Sequence, residues 1–453
     1  MNSRENENRL TRRSFVKNSA LLGSGLVAMP LFSNAGYFTS VDDTIKVVLI
    51  GCGGRGTGAA RQALLSHQNV KLVAMADAFR DRIDNSLKAI TSEDDDGVSV
   101  KDRVSVTEDT KFVGFDAYLK AIPLADVVIL TTPPGFRPIH FEEAIKQGKH
   151  VFMEKPVATD PAGVKKVLEV AAIAKQRKLN VVVGLQRHYQ NSYRELIKRA
   201  RDGMIGDITS GQVYWNSDGV WVYKRQPGQS EMEYQMRNWY YFNWLCGDHI
   251  VEQHIHNIDV MNWFKDAYPV KAMGMGGRQV RTGKEYGEIF DHHYVEYHYA
   301  DGSIMNSQCR HIKGTYSRVD ETIVGTKGTV YCGAGQIRLG DKTLYAYDMK
   351  KENNPYQTEH DELFAAIAKG EFKFADAENG AKATLTAIIG RLATYSGQVI
   401  DWDTALNSGL SIQPAKYAFD AEPPVLPDAD GFYPIAVPGK TVYFSERASV
   451  GGN

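Results

Sequence analysis

Six residues restrict this chain more than any other feature. Gly51-Cys52-Gly53-Gly54-Arg55-Gly56 has the spacing G-x-G-x-x-G, directly after an apolar run at 45–50 that only Lys46 interrupts. A helical pattern follows at 57–66. The glycines alone are a common coincidence, but between a buried strand and a helix they fingerprint a dinucleotide-binding turn. Gly51 permits the tight turn, Gly53 lets the backbone approach a pyrophosphate, and Gly56 lets helix and strand pack closely. Gly54 and Arg55 complete the loop, and the helix N-terminus offers N–H donors and a positive dipole end to phosphate. A second apolar run, 70–76, ends in Asp77, where a carboxylate would accept the adenine-ribose hydroxyls. Its charge would repel a 2′-phosphate, so NAD is expected over NADP, with Arg80 and Arg82 near enough to soften the preference. Cys52 reads as a small packing residue.

The alternation continues. Residues 80–90 read helical, 126–131 and 151–153 as strands with a helix at 140–147 between them, 161–177 as a helix and 180–185 as a last strand. This predicts an α/β Rossmann domain, a doubly wound parallel sheet, over 40–190. Beyond about residue 190, runs at 208–215, 294–299, 304–308 and 329–331 are rich in Val, Tyr and Ile, and Asp301-Gly302 signals a hairpin. A C-terminal α+β domain with a large, mainly antiparallel sheet and few helices is expected over 191–410, with a helix at 379–395. Residues 411–453 form a proline-rich tail expected to wrap the surface. At 453 residues, two domains suit the length, and 43% hydrophobic with 24% charged residues is ordinary for a soluble chain. The net charge of -1 and the lack of a long basic run give a nucleic-acid partner no electrostatic support.

The first 35 residues stand apart. Thr11-Arg12-Arg13-Ser14-Phe15-Val16-Lys17 precedes a weakly apolar run at 19–32 and then Ser33-Asn34-Ala35. This is the order of a charged region, a short apolar region and a small-residue cleavage site. The paired arginines look like a twin-arginine export signal, so residues 1–35 are set outside the fold and a periplasmic location is expected. No cysteine directly follows the apolar run, so no membrane anchor is expected after cleavage. Cys52, Cys246, Cys309 and Cys332 are far apart and signal neither a disulfide framework nor a zinc motif.

Further motifs carry a resemblance. Thr131-Thr132-Pro133 ends the strand at 126–131, His140 follows, and Val151-Phe152-Met153-Glu154-Lys155-Pro156 ends the next. With Gly184-Leu185-Gln186-Arg187-His188, Gly203-Met204-Ile205-Gly206-Asp207, Asp291-His292-His293 and Gly325-Thr326-Lys327-Gly328, the chain resembles the glucose–fructose oxidoreductase/inositol dehydrogenase/rhizopine-catabolism (Gfo/Idh/MocA) family over roughly 44–400. The resemblance implies cofactor contacts from Thr131, Thr132, Pro133, His140, Glu154, Lys155 and Gln186. Physically, Lys155 falls at the carboxyl end of a parallel strand, where open α/β sheets bind ligands, and Pro156 favours an extended Lys155. An ammonium there can hold a hydroxyl and share its proton as hydride leaves.

The segment from Gly247 to Asp259 holds the second cluster. Read as a helix, it puts Glu252, His256, Asp259 and Trp263 on one face and His254 roughly opposite. The resemblance makes His256 the acid/base, with Lys155 and Glu252 as its hydrogen-bond partners. Glu252 stands where the family has aspartate, which leaves open whether it touches substrate or only orients His256. His249, Glu252 and His256 could also face one metal ion, though no metal is assigned. Trp215, Trp221, Trp239, Tyr240, Tyr241 and Trp244 are rings of the kind that stack on sugars or fill cores. Arg187, His188, Arg237, Trp239 and His292 join Lys155, Glu252 and His256 as candidate substrate binders. His360 could reach the cleft or cap a helix.

These residues imply hydride transfer at a secondary alcohol, and the resemblance narrows it to a sugar, glycoside or cyclitol. An exported enzyme has no nicotinamide pool to exchange with, so NAD should stay bound and be regenerated within each cycle. Oxidation of a glycoside at C3 is the leading expectation. Net hydrolysis by oxidation, elimination, hydration and reduction is the alternative, and a non-catalytic sugar- or NAD-binding module a further one. A homo-oligomer is expected from the open sheet.

Overall fold

The computed structural model describes residues 44–444; the expected export segment, 1–35, lies outside the described residues. The first sheet consists of β1 (Ile45–Ile50), β2 (Val70–Asp77), β3 (Lys111–Val113), β4 (Val127–Leu130), β5 (His150–Met153) and β6 (Val181–Val183). Their order is β3-β2-β1-β4-β5-β6, with every pairing parallel. The near-continuous apolar runs follow from burial on both faces: β4 is buried at all four positions. Register decides which residues meet at the carboxyl edge. Ile50 pairs with Leu130, and Leu130 with Met153, so the residues after these strands emerge there at one level. Gly51, Thr131 and Glu154-Lys155 therefore share that edge. The first helix is Gly54–Leu65, starting three residues before the expected one because the glycine turn is itself the helix start. β3 has no counterpart among the expected strands: three residues at a sheet edge carry no periodicity.

The second sheet has nine strands. They are β7 (Ile208–Ser217), β8 (Lys271–Gly277), β9 (His292–His298), β10 (Ile304–His311), β11 (Arg318–Gly325), β12 (Gly328–Tyr331), β13 (Gln336–Leu339), β14 (Lys342–Ala346) and β15 (Ile400–Asp401). Their order is β14-β13-β12-β11-β7-β10-β9-β8-β15. All pairs are antiparallel except β7 with β10. Asp301-Gly302 turns the chain between β9 and β10, with Gly302 at φ +85°. This half holds more helix than its sequence texture suggests. Helices Asn191–Arg201, Ile255–Lys265 and Pro355–Ala368 join the expected one at Ala377–Ser396. Nine of eleven residues in Ile255–Lys265 are buried, which erases the amphipathic signal that would announce a helix.

Beyond residue 410 the described chain runs back across the junction of the two sheets. Ile412 donates its N–H to Asp160 (2.9 Å), and the Gln413 amide reaches Thr159 (2.8 Å) and the Trp244 carbonyl (3.0 Å). Further on, Phe419 packs on Phe115 and Phe79, with ring centroids 4.8 and 5.4 Å away.

Helix Ala377–Ser396 closes on the second sheet through Gly390, where an added Cβ would lie 2.0 Å from the Tyr297 hydroxyl. Glycine to alanine inside a helix normally stabilises by about 1 kcal/mol. Here the clash should reverse the sign, and Gly390→Ala should cost roughly 1–3 kcal/mol as overpacking. Thermal melts check this, and a variant melting higher than the parent would refute the packing.

Candidate active site

The glycine turn is locked from behind and open in front. Gly51 has φ +97°, and a Cβ there would fall 2.4 Å from the Thr132 nitrogen. At Gly56 a Cβ would meet the Gly51 carbonyl at 2.0 Å, and the Thr131 hydroxyl donates to that same carbonyl at 2.6 Å. At Gly53 and Gly54, by contrast, an added Cβ meets nothing within 4 Å, and no side chain caps the helix. A free helix N-terminus before open space is a cradle for phosphate. Beside it lies a pocket of about 390 Å³ lined by Asp77, Thr132, Pro133, Phe115, Phe136, His140 and Met236, among others. Asp77 accepts from the Cys52 N–H (2.7 Å) and the Phe79 N–H (3.0 Å). Burial pushes its carboxyl upward, and these two bonds work against that. Arg80 is drawn away to Asp84 (2.9 Å), whereas Arg82, over the Tyr223 ring, stays near enough to act on the Asp77 carboxylate.

Other residues of the expected cofactor set act as supports. Arg55 bonds Glu154 (2.5 Å) and Glu359 (3.1 Å), which ties the glycine turn to helix Pro355–Ala368 rather than presenting a guanidinium to phosphate. Thr132 contacts His140 at 3.3 Å, and His140 sits 4.3 Å from the Tyr118 ring. The Gln186 Oε1 is buried without a partner.

At the same edge the Lys155 ammonium donates to the Glu252 carbonyl (2.7 Å) and to its carboxylate Oε1 (3.0 Å). The opposite carboxylate oxygen is buried and unpartnered. Glu252 thus holds the lysine and makes no hydrogen bond to His256, contrary to the expected three-membered contact. The segment is also not one helix. It breaks at Gln253-His254 into His249–Glu252 and Ile255–Lys265, so Glu252 leaves the predicted common face while His256, Asp259 and Trp263 stay on one helix. His249 faces away from Glu252 and His256 toward His293 and His311, and the expected trio does not converge. His256 is buried beside Trp215, with centroids 5.9 Å apart, and its Nδ1 lacks a partner. Burial first, then the nearby Lys155 charge, hold its pKa well below the ordinary histidine value. It is a neutral imidazole at neutral pH.

Several candidate substrate binders are engaged elsewhere. Arg187 is buried in an ion pair with Glu321, which also accepts from Tyr193 (2.8 Å) and Asn257 (2.6 Å). His188 bonds Asp259 (2.7 Å) and stacks on Trp263 at 3.9 Å; burial disfavours its charge, yet Asp259 raises its pKa. Arg237 makes two bonds to Asp81 (2.8 and 2.9 Å) over the Phe79 ring, clamping the second domain to the first. His292 bonds Asp291 (2.7 Å) on the half-exposed face of β9, while its neighbour His293 points inward. His360 does neither thing expected of it: Asn354 caps the helix, and His360 packs 4.2 Å from Phe152 in the first domain's core. Trp239 remains in the aromatic group, 5.7 Å from Trp221. Tyr240 is, in the sequence, one ring among several. Its hydroxyl is buried without a partner near Glu252, and its isolation arises only once β10 and the segment around Glu252 are folded together.

Two family models match the chain, the oxidoreductase NAD-binding Rossmann fold of Gfo/Idh/MocA proteins over residues 45–185 and their C-terminal domain over 193–331. The chain belongs to this family and is an NAD-binding oxidoreductase. It is 24% identical over 340 residues to inositol 2-dehydrogenase of Rhizobium meliloti, covering 72% of this chain and 90% of that one. Its fold resembles aldose-aldose oxidoreductase from Caulobacter crescentus complexed with glycerol (TM-score 0.61, 18% identity, 79% and 100% covered). It also resembles scyllo-inositol dehydrogenase from Lactobacillus casei with bound NAD(H) and scyllo-inositol (TM-score 0.58, 19% identity, 80% and 100% covered).

Buried neutral histidines make stability pH-dependent. Burial pushes His140 and His254 down to about 3. The unfolded chain takes these protons near pH ~6.5 while the folded chain resists, so stability is full above that value and falls as pH drops toward 3. Each group removes up to about 1.4 kcal/mol per pH unit in that window. The midpoint of thermal unfolding should therefore fall between pH 7 and pH 5, and His140→Gln should flatten the slope. Equal slopes in parent and variant would exclude this source.

Proposed function

We propose that this protein oxidises a secondary hydroxyl of a sugar or glycoside, at C3 of a pyranoside ring, with NAD held as a resident group and regenerated within each cycle. The observation carrying this reading is Lys155 fixed by two acceptors of Glu252 at the sheet edge, with neutral His256 beside it. The open helix N-terminus at Gly53-Gly54, together with Asp77 at the end of β2, fits a dinucleotide. When bound, NAD would accept the hydride from the carbinol carbon.

The residues divide the remaining work. His256 takes the hydroxyl proton, because its imidazole rests neutral and keeps an unpartnered nitrogen. Lys155 donates a hydrogen bond to the same oxygen and stabilises negative charge developing there. Glu252 positions Lys155, and its unpartnered oxygen can accept from a neighbouring hydroxyl, which suits a polyhydroxylated ring. Trp221, 39% exposed, offers a ring face next to Trp239 and Tyr240. Retention of the cofactor is supported by the chain beyond residue 410, whose Phe419 and Tyr417 lie against Phe115 at the pocket wall. It is also supported by the Arg12-Arg13 leader, from which we infer a periplasmic enzyme that folds around NAD before export. The exposed Met273 and Met275 of β8 fit pairing with a second copy of the chain.

Three measurements test this reading. Heat-denatured protein purified without added cofactor should release nicotinamide in near-stoichiometric amount; none released would remove the resident cofactor. Lys155→Met should lower kcat by about a hundredfold or more with NAD content retained, and an unchanged rate would take the lysine out of the chemistry. A panel of aryl glucosides should yield a 3-ketone with the aglycone attached, whereas free aglycone with no net ketone would mean redox-neutral hydrolysis instead.

A further inference from the structure

Behind Glu252, on the side away from Lys155, lies a second cluster that the proposed chemistry does not use. Asp248, His249, His293 and His311 are all buried, none more than 3% exposed. Asp248 and His249 open the short helix His249–Glu252, His293 is on β9 and His311 ends β10. Donor atoms of Asp248, His249 and His293 all lie within 4.8 Å of one another. Two of the separations are 3.2 Å (His293 Nε2 to Asp248 Oδ2) and 3.8 Å (His249 Nε2 to Asp248 Oδ1). Donors bound at about 2.0–2.1 Å to a tetrahedral ion stand roughly 3.3 Å apart, so both separations are close to those of a closed zinc site.

Satisfaction of the polar atoms points the same way. A neutral imidazole carries one donor and one acceptor, and buried ones nearly always find partners. Yet both ring nitrogens of His249 and both of His311 are buried with no hydrogen-bond partner, and so is the Nε2 of His293. His311 stacks on His249 with centroids 4.3 Å apart. The supports that surround a metal site are present. His293 Nδ1 bonds the Thr394 hydroxyl (2.9 Å), which fixes its ring with Nε2 facing Asp248. Asp248 Oδ2 accepts from the Phe290 N–H (3.0 Å) and the Tyr395 hydroxyl (2.5 Å), while Oδ1 has only the His249 N–H (2.5 Å) and keeps a lone pair. Asp248 holds this position at φ +72°, a conformation unfavourable for aspartate.

We propose that Asp248, His249 and His293 bind a borderline divalent transition metal of the zinc type, with His311 stacked against His249 as its support. Nitrogen-rich, fully buried donors with one carboxylate suit zinc over magnesium or calcium, which prefer oxygen. The ion would pin the start of the segment bearing Glu252 and His256 to β9. Its role is structural, because no donor reaches the sheet edge where Lys155 lies.

The test uses the full chain made without a histidine tag, stripped with dipicolinate and then titrated with zinc chloride or cobalt chloride. One equivalent of zinc should bind, with the melting midpoint rising by several degrees, and cobalt should give the visible bands of a tetrahedral ion. His293→Gln and His249→Gln should each weaken zinc binding at least tenfold, while Lys155→Met binds zinc as the parent does. Near-ultraviolet circular dichroism establishes that each variant is folded; should both histidine variants fail to fold, the parent titration alone decides. Folded parent protein that takes up no zinc and melts unchanged would overturn the proposal. So would a folded His293→Gln protein that binds zinc as tightly as the parent.

Discussion

Lys155 follows β5 in one domain, and its ammonium is bonded to the carbonyl and the carboxylate of Glu252 in the other. A lysine on a sheet edge is ordinarily a mobile, hydrated point charge. Two acceptors from one residue fix it, and the register of β1, β4 and β5 sets it level with the glycine turn. Burial, with the Lys155 charge second, keeps His256 neutral. Glycine turn, lysine and imidazole are thus coupled through one contact across the domain boundary. Arg237 with Asp81, and Arg55 with Glu154 and Glu359, hold that boundary at other points.

The legible part of the molecule was the part whose chemistry repeats at short range. The glycine turn, Asp77 and the Glu-Lys-Pro strand end are local patterns, and the structure puts them on one edge as the strand–helix alternation implied. The segment from Gly247 to Asp259 was legible in composition but not in shape. Helical spacing assumed an unbroken helix, whereas the chain breaks at Gln253-His254 and sends His249 and His256 in different directions. The partners of the candidate polar residues were hidden for a related reason. Nothing in the sequence says that Arg187 meets Glu321, 134 positions away, or that His293 rather than His292 faces inward. Buried ion pairs between distant segments leave no local trace.

The second domain illustrates the limit of texture. Its sheet was visible as alternating Val, Tyr and Ile, but the parallel pairing of β7 with β10 was not, because pairing direction is a property of topology. Helix Ile255–Lys265, read in part as a helix, gave no clear face to the core because it is buried nearly all round, polar residues included.

The path of the chain beyond residue 410 bears on how the enzyme is made. The walls of the dinucleotide pocket come from residues 50–140 with Met236, while the aromatic rings laid against them, Tyr417 and Phe419, emerge only after both sheets. The vessel is therefore translated well before its cover. Loading can precede the emergence of that cover, and closure afterwards would turn a reversible encounter into a trapped one. On the proposed reading of a resident cofactor, the dinucleotide on hand during synthesis would then set how much active enzyme forms.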